Sequence, residues 1–295
     1  MEALGGSRKT KHMSSPLGIV AGEGRFPHLV ADGARRLKRP VVAVGFKGHT
    51  ETDFPGRVDA FAWLRLGQLG RLLSFFHKQG CREIVFAGAI NKPKALQIRP
   101  DWRAAGLLLR LRSKNDNAVF SALTRSIEME GIAVIAPNSL VKGLSMPSGV
   151  LSVRKPTQQE CEDIAFGWPL VKQLGSLDIG QCVVVRQGMV VAVEAMEGTN
   201  ACILRSGSLA GKGCVVIKAF KPGQEAHIDQ PAVGRETIRT MIDSGASCLA
   251  VEAGKSLFFD QVAALDLADK AKICLVGCDA NGDFEGAQDF GHFQC

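Results

Sequence analysis

The second half of the chain carries the residues best suited to chemistry: Glu194-Ala-Met-Glu197-Gly-Thr199-Asn200, then Lys218, then Lys221-Pro-Gly-Gln224-Glu225-Ala-His227-Ile-Asp229. Carboxylate and amide oxygens of this kind hold a hard divalent cation, and lysines neutralise phosphate, which together are the demands of phosphoryl transfer. The competing reading is a pair of solvated loops whose shapes Gly and Pro fix. A second candidate lies near the start, where Gly18-Ile-Val-Ala-Gly22-Glu-Gly24-Arg25-Phe26-Pro27 places glycines at the end of a β-type run and Pro27 in the first turn of a helix. Such glycines let backbone N–H groups approach a phosphate at the positive end of the helix, or serve a plain tight turn. Pro27 stands where a dinucleotide fingerprint has its third glycine. No acidic residue follows Gly45-Phe46-Lys47 to bind a ribose, which argues against a dehydrogenase. Asp116, in Lys114-Asn-Asp-Asn117, suits a helix N-cap, or a carboxylate facing the same crevice as the glycine loop.

Trp102-Arg-Ala-Ala-Gly-Leu-Leu-Leu-Arg110-Leu-Arg112 aligns Ala104, Leu107, Leu108 and Leu111 on one helical face and Arg103 with Arg110 on another. It lies in a stretch from Lys92 to Lys114 that holds seven Lys or Arg against the single Asp101. An interfacial helix on anionic headgroups and a helix packed on a sheet with a solvated basic face both fit. Nucleic acid is a poorer partner, because no aromatic residues interleave with the basic ones and no binding module is evident.

Positioning these residues requires a scaffold. In the first half, β-type runs (Leu17–Gly22, Val41–Phe46, Phe61–Leu64, Glu83–Ile90, Ile132–Ala136) alternate with helical patterns (Phe26–Lys38, Gln68–Gln79, Ala118–Glu130). That alternation predicts a Rossmann-like parallel sheet covered on both faces. After a Pro-, Ser- and Gly-rich stretch comes a helix over Gln158–Leu174. A hairpin follows, Gln181–Arg186 and Met189–Glu194, turning at Gln187-Gly188. Runs Cys214–Phe220, Cys248–Glu252 and Ile273–Val276, with helices over Glu236–Ile242 and Phe258–Ala268, make the second domain mixed α/β. The expected plan is α/β throughout: a tail over 1–15, an N-terminal nucleotide-binding-like domain over 16–137, a linker over 138–157, a catalytic and lipid-binding domain over 158–279 and a flexible tail over 280–295.

Composition bounds the answer. With 295 residues, 46% hydrophobic and 22% charged, the chain has material for two globular domains and is not disordered. The nine cysteines stand mostly alone in apolar segments without a CxxC pair, and read as buried reduced thiols. Cys274 and Cys278 lack the further ligands of a zinc site. No window reaches the roughly 18 uninterrupted apolar residues of a membrane span, and residues 1–15 lack an apolar signal core, so a cytoplasmic protein is expected.

Taken in order, these motifs resemble a known family. Asp178-Ile-Gly-Gln181, Val193-Glu194-Ala-Met-Glu197-Gly-Thr199, Arg205, Lys218, Lys221-Pro222, Gln224, Asp229 and Pro231 are similar to the two-domain, one-chain UDP-2,3-diacylglucosamine pyrophosphatases of lipid A biosynthesis, as distinct from the metallophosphoesterase type. Gly22 to Pro27, Leu66-Gly-Gln-Leu-Gly70, Phe86-Ala-Gly88 and the helix start at Asp116 extend the similarity from Leu17 to Gly277. The resemblance implies hydrolysis of UDP-2,3-diacylglucosamine to UMP and 2,3-diacylglucosamine 1-phosphate in a chamber between the domains. It also implies dependence on Mg2+ or Mn2+ and peripheral contact with the inner membrane from the cytoplasm. It carries over Asp229 as catalytic and the glycine loop as lying near the nucleotide. On the chemistry of the residues, Lys221, Lys218 and Glu197 join Asp229 as catalytic, Asp229, Glu197 and Glu225 face metal, and the remaining polar and loop residues contact substrate. Gly22, Gly24, Arg25, Phe26, Pro27, Gly88, Asp116, Glu194, Thr199, Asn200, Gln224 and His227 bind substrate.

Asn117, Asn200 and His227 depart from the family, which usually has aspartate at the first two and arginine at the third. Two other readings follow: a silent lipid-nucleotide binder of the same fold, and a nucleotide-cofactor oxidoreductase built on the first domain.

Overall fold

The computed structural model describes residues 15–88, 100–110, 116–141, 143–221 and 230–285. The chain divides into two compact units, Met1–Lys114 with Ala118–Val141 and Asn115–Asn117 with Lys142–Cys295.

The first unit contains β1 (Leu17–Ala21), α1 (Phe26–Arg36), β2 (Val41–Phe46), β3 (Ala60–Leu64), α2 (Leu69–Lys78), β4 (Glu83–Ala87), α3 (Trp102–Arg110), most of α4 (Asp116–Glu128) and β5 (Ala133–Val134). Every strand pairing is parallel, in the order β3-β2-β1-β4-β5. β1 and β2 are buried at every residue, as unbroken apolar runs in a sheet covered on both faces should be. The strand order reverses between β1 and β4, and in open α/β sheets the crevice beyond such a reversal takes ligands. Asp101 joins two helix starts: its carboxylate accepts the Ala104 N–H of α3 at 2.9 Å and the Gly70 N–H of α2 at 2.7 Å.

The second unit contains β6 (Gly149–Val150), α5 (Gln158–Ser176), β7 (Cys182–Arg186), β8 (Met189–Val193), α6 (Thr199–Ala210), β9 (Val215–Lys218), β10 (Ala232–Val233), α7 (Arg235–Ser244), β11 (Cys248–Glu252), β12 (Leu257–Phe258), α8 (Gln261–Lys270) and β13 (Cys274–Cys278). Its main sheet has the order β6-β13-β11-β9-β7-β8. β9, β11 and β13 are parallel, while β6, β7 and β8 run against their neighbours. One face packs Val183, Val185, Val215 and Ile217 on Ile164, Trp168 and Val171 of α5. The other packs Cys182, Val184, Val216 and Leu249 on residues of α6, α7 and α8. Alternate residues of each strand thus feed two separate cores.

α5 begins with a capping box: Thr157 Oγ1 accepts the Glu160 N–H, and the Glu160 carboxylate accepts the Thr157 N–H. Arg154 binds both Glu160 oxygens at 2.8 Å, and Ser247 Oγ donates to one of them at 2.6 Å. Asp163, buried on the same helix, accepts the N–H groups of Gln187 and Gly188 at 2.9 and 2.7 Å. Both turn residues have positive φ, 51° and 71°, the geometry of a two-residue type I′ hairpin.

Three expectations from sequence are revised. Gly149–Val150, inside the stretch read as linker, forms an edge strand on β13, and the unit boundary falls at 141/142. Ala280 to Phe284 is packed: the Trp168 indole donates to the Ala280 carbonyl at 3.1 Å and Phe284 is buried. Thr199–Ala210 is a full helix, which removes the competing reading of the polar stretch around Thr199 as a solvated loop.

Candidate functional site

Two candidate regions emerge, one in each unit. In the first, the glycine loop follows β1 directly. The Gly22 N–H donates to the Ala87 carbonyl at 2.7 Å, so the segments leaving β1 and β4 are joined at the sheet edge. Gly88 has φ 92°, and a Cβ there would lie 2.5 Å from the Glu23 carbonyl oxygen; only glycine allows that approach. Thr50 Oγ1 donates to the Ala21 carbonyl at 2.6 Å and accepts the Phe46 N–H, fixing the ends of β1 and β2. α1 starts at Phe26 with Pro27 in its first turn. Gly22, Gly24, Arg25, Phe26, Pro27 and Gly88 therefore share the edge beside the strand-order reversal.

In the second unit, the C-terminal ends of β9 and β11 meet the start of β7 and the end of β8 at one sheet edge. Buried polar groups collect there. Glu194 accepts the Gln181 N–H at 3.2 Å and the Thr199 hydroxyl at 3.0 Å. Lys221 Nζ meets Asp178 Oδ1 at 2.9 Å, an ion pair with both side chains about one-tenth exposed. Glu252, at the end of β11, accepts the Phe220 N–H at 2.8 Å and Lys172 Nζ at 2.9 Å. Lys218, the last residue of β9, is 5% exposed and donates to the neutral Ala232 carbonyl at 2.8 Å. Among the described residues, no carboxylate lies within ion-pair distance of it. Two lysines buried at one edge, one of them bonded to a neutral carbonyl, suit an anionic ligand.

The predicted residues sort accordingly. Glu194, Thr199, Lys218 and Lys221 converge, with Glu194 bracing the loop and α6 rather than standing free. Glu197 does otherwise: its oxygens accept Arg205 at 2.6 Å and the Ala195 N–H at 3.1 Å. Hydrogen bonds from the backbone and from Arg205 hold its carboxyl below the usual range. Both oxygens are thus engaged, which does not suit the metal-facing role expected of it. Among the described residues no cluster of three or more His, Cys, Asp or Glu could hold a metal. Asn200 donates to Glu236 at 3.2 Å; an aspartate there would oppose that carboxylate, which gives the departure from the family a local cause. Gln224, Glu225, His227 and Asp229 lie outside the described residues, as do Lys92, Lys94, Arg99, Arg112 and Lys114. α4 does begin at Asp116.

Lys172 and Glu252 were missed as site residues. The available signal was an acid closing the apolar run Cys248–Glu252, which a strand buried on both faces does not otherwise explain.

On α3, Ala104 is buried and Leu107 and Leu108 are half-buried, while Arg103 pairs with Glu130 at 2.5 Å. The exposed stripe is instead apolar: Trp102 is 78% and Leu109 87% exposed, seven residues apart on one face.

Comparison with known proteins bears on both regions. Residues 16–144 match the family model described as the LpxI N-terminal domain, and residues 147–276 that of the LpxI C-terminal domain. The UDP-2,3-diacylglucosamine pyrophosphatase LpxI of Caulobacter vibrioides is 29% identical over 277 residues, spanning 89% of this chain and 97% of its own. Two solved structures match weakly. The biotin carboxylase domain dimer of Hydrogenobacter thermophilus 2-oxoglutarate carboxylase gives TM-score 0.27 and 11% identity over 67% of this chain and 41% of its own. Staphylococcus aureus N5-carboxyaminoimidazole synthetase with ADP gives 0.23 and 16% over 62% and 42%. Similarity at that level carries no argument.

Proposed function

The chain belongs to the LpxI family, and on that premise we propose that it hydrolyses the pyrophosphate of UDP-2,3-diacylglucosamine, giving UMP and 2,3-diacylglucosamine 1-phosphate in lipid A biosynthesis. The observation that carries the chemistry is Lys218, a buried cation whose hydrogen bond goes to a neutral carbonyl, three residues before a second buried lysine. Cleaving a diphosphate ester asks mainly for charge neutralisation and a positioned water. Lys218 and Lys221 supply the first, stabilising charge that develops on the phosphoryl oxygens and the leaving group. Asp229 positions and activates the water. Apolar surface of the second unit takes the acyl chains.

A Mg2+ or Mn2+ requirement belongs to the same proposal. With Glu197 engaged by Arg205, Asp229 and Glu225 are the remaining candidate ligands; a bound ion would supply further charge neutralisation at the diphosphate. EDTA is expected to abolish turnover, and Mg2+ to restore it. The protein is further proposed to work in the cytoplasm, peripheral to the inner membrane, with the exposed Trp102 and Leu109 of α3 against the bilayer.

Asp229→Ala assayed on UDP-2,3-diacylglucosamine tests the assignment. Loss of at least about a hundredfold in kcat is expected for removal of the residue that activates water. Near-normal turnover would remove Asp229 from the mechanism.

A further inference from the structure

We propose that Lys172 and Glu252 are positioning residues for Lys218 and Lys221, a role that rests on the hydrolase reading above. Glu252 closes β11 and is 1% exposed. One of its oxygens accepts both the Phe220 N–H at 2.8 Å and Lys172 Nζ at 2.9 Å, and the same ammonium lies 3.4 Å from the Phe220 carbonyl oxygen. The acid and the base therefore hold Phe220 by its N–H and its carbonyl together. That residue stands between the two lysines, so its orientation sets the path from Lys218, where β9 ends, to Lys221. Lys255 approaches the second Glu252 oxygen at 3.3 Å and sits 6.0 Å from the centre of the Phe220 ring, closing the arrangement from another side.

The fold has gone to some length to bring Lys172 there. Gly167, five residues earlier on α5, lies so close to the sheet that a Cβ would fall 2.2 Å from Ile217 Cδ1 of β9. α5 thus lies close on β9, and Lys172 reaches the end of that strand through its bonds to Glu252 and the Phe220 carbonyl. A buried ion pair is a poor means of gaining stability, because desolvation offsets much of the attraction and apolar packing serves as well. Its placement beside the segment that joins two candidate phosphate-binding lysines points to geometry as its purpose. Interactions made in the transition state lose effect steeply when their donors shift by an ångström.

The test compares the full-length wild type with Lys172→Met, Lys172→Arg and Glu252→Gln on UDP-2,3-diacylglucosamine, each variant normalised to its folded fraction by circular dichroism. Lys172→Met and Glu252→Gln should lower kcat at least about tenfold with KM within about threefold of wild type, because the lysines act on the transition state. Lys172→Arg, which keeps the charge and a donor, should recover kcat to within about threefold of wild type. A purely structural role would instead reduce activity in proportion to the folded fraction and leave the normalised kcat unmoved. Wild-type kcat in both Lys172→Met and Glu252→Gln overturns the positioning role while leaving the hydrolase reading intact. So does a loss in Lys172→Arg as large as in Lys172→Met. Should Glu252→Gln not fold, the Lys172 pair decides alone, since that side chain is one-quarter exposed and Lys255 still faces the Glu252 carboxylate it leaves behind. A wild type that never cleaves the substrate overturns the hydrolase reading, and this role with it.

Discussion

Lys218 and Lys221 are both buried at one sheet edge, yet their surroundings set them apart. Lys221 has a carboxylate, Asp178; the hydrogen bond of Lys218 goes to a backbone carbonyl. Lys218→Met should therefore reduce kcat by about a hundredfold or more, as loss of a group stabilising transition-state charge does. Stability should hold or rise, because a desolvated charge disappears and, among the described residues, no ion pair is lost. Turnover and urea denaturation of the same preparation check both halves. Asp178→Asn should behave oppositely, destabilising by roughly 2–4 kcal/mol by stranding Lys221, while the αL backbone at this position, φ 54°, remains acceptable to asparagine. Residue types alone pointed to the lysines, Glu194 and Thr199, which the fold brings to one sheet edge. They could not separate Glu197 from a metal ligand, because Arg205, eight positions along and one face of α6 away, is what engages it. Lys172 and Glu252 are 80 residues apart in sequence, and only the sheet order brings them together.

Among the elements, α5 offers the clearest pH dependence. Burial pushes the Glu160 carboxyl up, but hydrogen bonds from Arg154, Ser247 and the Thr157 N–H outweigh it, so its titration lies below the ordinary range. A carboxylate depressed in the folded state stabilises fully above its unfolded value and loses that contribution as pH falls through the folded one. Wild-type stability should decline below about pH 4.3. Glu160→Gln should cost about 2–3 kcal/mol at neutral pH and flatten that decline, read from urea midpoints at pH 7, 5 and 3. On α3, Trp102→Ser with Leu109→Ser should weaken partitioning onto vesicles containing anionic lipid; unchanged partitioning would assign membrane contact to other residues. Strands β2 and β11 were legible to the residue because continuous β-branched and apolar runs admit one reading. α6 was not: Gly198 enters it at φ 82°, and Thr, Asn, two Ser and a Gly dilute its period, so its helicity comes from packing Cys202 and Ile203 on the sheet.

At the scale of the molecule, the formal charge of +7 suits an anionic substrate and surface. No helix among the described residues is long and apolar enough to cross a membrane. All eight described cysteines are buried free thiols, and burial raises Cys81 and Cys161 to about 11. They should react with a thiol reagent at pH 7 only as fast as the fold opens, against seconds in denaturant; prompt labelling of the native protein would contradict their burial. The grip of Asp163 on the Gln187-Gly188 turn has a counterpart in deuterium exchange. These two residues sit on the surface, where amide protons usually equilibrate with solvent almost at once, yet each N–H is bound to a carboxylate buried on α5. A peptide spanning the hairpin tip should therefore take up label late, in step with global opening of the second unit, and mark an outwardly flexible-looking bend as one of its most persistent parts.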